Sequence, residues 1–249
     1  MSRVATRPTA ERLWPDAVSS TDTYAKRFAG SVGTYFLKVQ KDEVIQRVVD
    51  CEAESVLDVG GGHCQLAKAF AKRGIAVTVT GSTSRCEDRL RAELRDDEYS
   101  FVKSGLFPLP LEDGSFDVVA SFRTMSHLPD WPCMLAELCR VSRSAVIVDF
   151  AVKSWASRFS GTLLSAKQIV EPDTRPYLAQ SITEVGSAFA SNGFQVEHVY
   201  RQFAIPMAVH RVLRMQPVSS VAEDLSRFMG ITKWIGSPVI VTAVRGELG

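Results

Sequence analysis

The chain has 249 residues, 45% of them hydrophobic and 23% charged, with 29 basic side chains against 28 acidic and a formal net charge of +1. That length supports one sizeable buried core, and the balanced charge gives none of the basic footprint that nucleic-acid binding uses. No apolar run approaches the ~20 residues of a membrane helix, the opening MSRVATRPTAERLWPD lacks the apolar heart of a secretory signal, and the five cysteines include no pair with a two-residue gap, which together predict a reduced, cytoplasmic chain without a metal site or membrane span.

Residues 1–20 are polar and contain proline, the composition of a flexible arm. From residue 21 to 50, Tyr24, Phe28, Val32, Phe36, Val39, Val44, Ile45 and Val48 recur at helical intervals. Gly30 and Gly33 interrupt them, which predicts two helices and a helical lid rather than one rod. Then short β-branched runs at 55–59, 75–80, 116–121 and 144–150, with a weaker one at 99–102, alternate with helical segments at about 64–73, 84–95 and 131–140. Strands with almost no polar face, separated by helices, predict an α/β fold with a mostly parallel, doubly wound sheet. Residues 51–150 would form its first half. The less regular 151–180 reads as an insertion over the carboxyl edge of the sheet. Residues 181–249 would complete the same single domain, with helices at 181–192 and near 219–229 and strands at 194–200 and 238–244.

The most informative stretch is VLDVGGGHCQL, residues 56–66. An apolar strand ends in Asp58, and Gly60, Gly61 and Gly62 follow before a helical pattern begins. Bare backbone at the end of a first strand lets a ligand approach closely, and the next helix offers free N–H groups to an anionic group. The dinucleotide fingerprint wants glycine at its sixth place, where this chain has Gln65, which argues against a nicotinamide or flavin site.

VLDVGGGHCQLAKAFAKRG followed by a strand, and then LPLEDGSFDVVASFRTMSHLPDW, resembles the class I S-adenosylmethionine-dependent methyltransferases, in particular their small-molecule group of the ubiquinone/menaquinone type. The resemblance is specific over residues 50–150 and covers the rest by general layout. It implies a seven-stranded Rossmann-like sheet with its last strand antiparallel, S-adenosylmethionine as cofactor, and methyl transfer to oxygen, nitrogen or carbon of a small-molecule acceptor. It also implies cofactor contacts from Asp58, Gly60, Gly61 and Gly62, from Thr83 after the second strand, from Gly105 and Leu106 after the third, and from Ser121, Phe122 and Arg123 after the fourth. Cys64 stands where the family places its third glycine. It reads as a small packing residue in preference to a reactive thiol.

Two acids common in the family are missing. Thr83, or Ser82 with a slip of one, replaces the carboxylate that holds the ribose, and Gly105 replaces the one that receives the adenine amino group. A hydrogen bond to a charged acceptor contributes about 1.5–3 kcal/mol against about 1 for a neutral one, so these losses weaken nucleoside binding by roughly one to three decades. They favour one rival, a non-catalytic binding or partner subunit. The hydroxyls and arginine of TGSTSR favour another, an NADP-dependent oxidoreductase, although a helix N-cap explains them more simply. His127, in the loop after the fourth strand, suits a general base or a hydrogen bond to loop backbone. Asp149, ending the fifth strand, is a second catalytic candidate. Tyr24, Phe28, Arg175, Tyr177 and His210 are candidates for binding the acceptor.

Overall fold

The computed structural model describes residues 14–153, 178–204, 223, 232 and 236–246. The N-terminal part carries α1 (Pro15–Ser19), α2 (Asp22–Ala25), a 3₁₀ turn (Lys26–Phe28) and the long α3 (Gly30–Asp50). The break expected near Gly30 falls there: Ala29 is extended and Gly30 has φ +79°. From α3 onward come β1 (Ser55–Val59), α4 (Ala67–Ala71), β2 (Ala76–Gly81), a 3₁₀ turn (Ser84–Glu87) running into α5 (Asp88–Glu93), and β3 (Ser100–Lys103). They continue with β4 (Phe116–Ser121), a 3₁₀ turn (Met125–His127), α6 (Trp131–Val141), β5 (Ser142–Phe150), α7 (Ile182–Ala190), β6 (Phe194–Arg201) and β7 (Val239–Arg245).

One seven-stranded sheet runs β3-β2-β1-β4-β5-β7-β6. The pairs among β1 to β5 are parallel, and β7 inserts antiparallel between β5 and β6. Alternation along each strand feeds two cores. Leu57, Val59, Val119, Val146 and Val148 pack toward α6 and α7, while Val56, Val118, Ala120, Ala145 and Ile147 pack toward α3 and α4. Asp58 and Asp149 share the period of the second set, so both carboxylates leave the strands on the α3 side.

Helix α3 buries Val32, Phe36, Gln40, Val44 and Val48, a stripe of five residues spaced four apart with one polar member. Two expectations are corrected. The helix predicted at 64–73 is only Ala67–Ala71, because Cys64 at φ +61° is not helical. The end of the arm predicted over 1–20 is not loose, since Pro15–Ser19 is helical and Asp16 is fully buried. Most of the 151–180 insertion and of the helix near 219–229 lies outside the described residues. Among the described residues, no helix is long and apolar enough to cross a membrane and no cluster of His, Cys, Asp or Glu is arranged to hold a metal ion.

Candidate active site

The carboxyl ends of β1, β2 and β4 meet at the glycine turn, where ligands bind in open α/β sheets. Gly60 takes φ +73° and its N–H donates to the Thr80 carbonyl, so the chain turns away from the sheet within one residue. Gly61 lies directly beneath the Asp58 side chain: a Cβ there would sit 2.2 Å from its carboxylate oxygen Oδ2. Asp58 is 3% exposed, and burial pushes its pKa up to about 7. Among the described residues, the positive charge of Arg123 is the only influence lowering that value, and no hydrogen bond to the carboxylate contributes. A carboxylate held this way favours a cationic partner.

Arg123 follows β4 in a left-handed conformation, φ +61°. Asp149 fixes that bend by accepting from the Arg123 N–H at 2.6 Å, and its other oxygen accepts from Gln40 Nε2 at 2.9 Å. Both oxygens are thus engaged inside the protein and Asp149, the second catalytic candidate, is 5% exposed and holds the arginine in place. Burial raises its pKa to about 6, against the hydrogen bond and charge of Arg123. The guanidinium donates to Gln65 Oε1 at 2.8 Å and lies 5.5 Å from the centre of the Phe28 ring. Gln65 is in turn anchored through Nε2 to the Leu37 carbonyl.

Aromatic groups of the N-terminal helices close this side. Tyr24 and Phe28 both meet the His63 ring edge-on, at 6.3 and 5.8 Å between centroids. Among the described residues neither ring nitrogen of His63 has a hydrogen-bond partner, and burial, then Arg123 and Arg89, push its pKa down to about 3. His63 is therefore a neutral wall at physiological pH. Tyr24 and Phe28, expected to bind the acceptor, are parts of this wall.

Among the other candidates, Ser121 Oγ bonds the Val59 carbonyl and Thr124 Oγ1, and Phe122 is buried in the α3-side core. Both side chains, expected at the cofactor, are engaged within the protein. His127 is half-buried in its 3₁₀ turn, and its N–H donates to the Thr124 carbonyl. The neighbouring Ser126 ties this loop to the chain beyond β5, accepting from Ala151 N at Oγ and from Leu178 N at its carbonyl. Arg175, Tyr177 and His210 lie outside the described residues.

The opposite side of the crevice, at the ends of β2 and β3, differs. The Thr83 hydroxyl lies 3.5 Å from Cys86 Sγ and its carbonyl accepts from Cys86 N, and no acid stands at Ser82, Thr83 or Gly105. Ser82 donates from its backbone N–H and its hydroxyl to Asp16, at 2.6 and 2.9 Å. Asp16 Cβ, Thr124 and Leu106 crowd Gly60, Ser20 Oγ and Cys86 crowd Gly62, and the Trp14 ring lies against Gly105. Sequence reasoning missed Trp14, Asp16, Gln40, His63 and this use of Gln65. Of these only Gln40, a polar residue in a buried helical stripe, carried a sequence signal.

Cys64 is 2% exposed, and burial pushes its thiol up to about 12. It packs with Val56, Leu66 and Phe70 in the α3-side core, which fits the packing role expected for it.

A family model described as a methyltransferase domain matches residues 57–148. The chain is 29% identical over 182 residues to the methyltransferase GfsG of Streptomyces halstedii, covering 67% of this chain and 62% of that protein. It is 30% identical over 117 residues to the chloroplastic tocopherol O-methyltransferase of Arabidopsis thaliana, covering 47% of this chain and 31% of that one. In both cases it spans less than two thirds of the relative's own length. Its fold is similar to that of the magnesium protoporphyrin IX methyltransferase from Synechocystis PCC 6803 with bound S-adenosylhomocysteine, at TM-score 0.65 and 15% identity over 92% of this chain and 97% of that one. With the strand order, the glycine turn and the motif after β4 already in place, residues 57–148 match a methyltransferase domain and the sheet has the class I methyltransferase, Rossmann-like fold.

Proposed function

We propose that the chain binds S-adenosylmethionine across the ends of β1 and β4 and transfers its methyl group to a small-molecule acceptor through an oxygen, nitrogen or carbon nucleophile. The observation that carries this reading is the buried Asp58 carboxylate beside the Arg123 guanidinium at the bare turn. A free amino acid presents an ammonium and a carboxylate on one carbon, and these two side chains complement that pair of charges. Gln65, Gln40 and Asp149 would keep Arg123 aimed, and Tyr24, Phe28 and His63 would exclude water from the charged end.

When bound, the cofactor supplies an electrophilic methyl group on a cationic sulfur with a neutral thioether as leaving group. The protein's task is then alignment and desolvation, with a base needed only where the acceptor atom carries a proton. His127 is our candidate for that base, its loop being tied to the end of β5 through Ser126. The acceptor is expected to meet the β4–α6 loop and the chain after β5, as the small-molecule substrates named for tocopherol and magnesium protoporphyrin IX methyltransferases suggest.

Calorimetric titration with S-adenosylhomocysteine tests the cofactor reading, and no detectable binding at millimolar ligand rejects it. For the base, His127→Ala is expected to lower kcat by about 10²–10⁴ toward an acceptor with an ionisable O–H, with KM for the cofactor unchanged. Full turnover by that variant removes the role.

A further inference from the structure

We propose that the turn Trp14–Ser20 is a displaceable plug that fills the nucleoside side of the crevice, so that S-adenosylmethionine enters only when this turn swings out. This rests on the cofactor reading above. Three residues of one short segment occupy the three places where the crevice lacks side chains of its own. An added Cβ on Gly105 would lie 2.9 Å from Cε2, Cζ2 and Nε1 of Trp14. One on Gly60 would lie 3.2 Å from Asp16 Cβ, and one on Gly62 would lie 2.3 Å from Ser20 Oγ. These bare backbone faces, which a ligand would need to approach, are in contact with the protein's own chain.

The polar contacts are also those of a ligand. In nucleotide-binding sheets an acid at the end of the second strand accepts from the sugar hydroxyls. Here the strand end presents donors instead, the N–H and hydroxyl of Ser82, and the fully buried Asp16 carboxylate accepts from both. Trp14 supplies a flat ring between Gly105 and Phe107, meeting the latter at 5.1 Å and 80°. One turn thus provides a planar ring and a polar group one residue beyond its neighbour, in the order of a base and its sugar.

The plug is built to leave. Helix α1 has five residues, far below the length at which a helix persists alone. Its closing bonds, from Ser20 N, Ser19 Oγ and Ser20 Oγ, all converge on the Asp16 carbonyl, so its hold on the sheet is the docking itself. A small unit of this kind opens without global unfolding. A plug docked for 90–99% of the time lowers the apparent cofactor affinity about ten- to a hundredfold.

The experiment pairs two measurements with S-adenosylhomocysteine on the full chain. Calorimetry on wild type and on the Trp14→Ala/Asp16→Ala double variant is expected to show at least about tenfold tighter binding by the variant. Hydrogen exchange of the wild type is expected to show the amides of Ala17 and Ser20, bonded to the Trp14 and Asp16 carbonyls, losing protection when ligand is added. The second measurement needs no variant and stands if the substitutions prevent folding. Equal or weaker binding by the variant, or protection that rises at 17–20 on ligand addition, overturns the plug and leaves the cofactor reading intact: the turn would then be a lid and Asp16 a ligand contact. Binding by neither protein overturns both.

Discussion

The two sides of the crevice are made by different means. On the β1–β4 side the polar groups come from strand ends and from a helix packed on the sheet: Asp58, Asp149, Arg123 and Gln40. Asp149 holds Arg123 and Gln40 by hydrogen bonds, while among the described residues the buried Asp58 is met only by the positive charge of Arg123. On the β2–β3 side no acid stands at Ser82, Thr83 or Gly105, and the Ser82 N–H and hydroxyl and the Cys86 thiol are already met by Asp16, up to 70 positions earlier in the chain. The sheet therefore fixes half of the site. The other half is governed by a segment outside it, and ligand affinity becomes a competition there and a plain electrostatic match on the first side.

The comparison breaks most readily at Arg123. Arg123→Ala removes two charge-assisted hydrogen bonds that a ligand carboxylate would receive, and affinity for S-adenosylhomocysteine is expected to fall about 100-fold. Wild-type affinity in that variant, measured calorimetrically, would show that the β1–β4 side is not the anchor.

Next in size is Asp149→Ala, which probes the scaffold rather than the ligand. It leaves the Arg123 N–H and Gln40 Nε2 without their acceptor, partly offset by relief of a buried carboxylate. A loss of about 2 kcal/mol is expected, read as a Tm lower by about 4–8 °C. That partnership shows where sequence reasoning stops. The central strands β1, β4, β5 and β7 were legible because both of their faces are largely buried and they are rich in β-branched residues. Gln40 was legible in principle, since a polar residue in the stripe Val32–Phe36–Gln40–Val44–Val48 needs a buried partner. Which partner it finds depends on a contact 109 residues away. Asp16 and Trp14 carried no signal, because their polar, proline-bearing segment has no period and they are held by tertiary contacts alone.

Titration sharpens the same contrast. Asp58 and Asp149, at about 7 and about 6, hold protons in the native state that the unfolded chain, near 3.8, releases. Between about pH 4 and 7 the native state therefore binds more protons, and stability falls as pH rises through that window. Binding runs the other way. An ammonium partner requires the Asp58 carboxylate ionised, so affinity for S-adenosylhomocysteine is expected to rise about fivefold from pH 6 to 7 and to level off above about pH 8, roughly tenfold in all. In Asp58→Asn the profile should be flat and lower throughout. A wild-type profile without slope would show that the carboxylate meets no cation.

The smallest effect is expected at Cys64, which joins the two sides at the start of the helical segment. Its left-handed backbone, φ +61°, costs a residue with a Cβ roughly 1–2 kcal/mol, and glycine would remove that strain. The same change deletes a buried thiol from the α3-side core and adds backbone entropy to the unfolded chain, each worth about 1 kcal/mol. These terms nearly cancel, so Cys64→Gly should shift stability by less than about 1 kcal/mol in either direction. Alkylation supplies the independent check: the exposed Cys133 should react with iodoacetamide while Cys64, buried with its thiol near 12, stays unmodified in the folded chain. Rapid labelling of Cys64 would mean that the turn opens on its own. A large stability gain in the glycine variant would mean that the cysteine is retained at a cost, for a role in the crevice that packing does not explain.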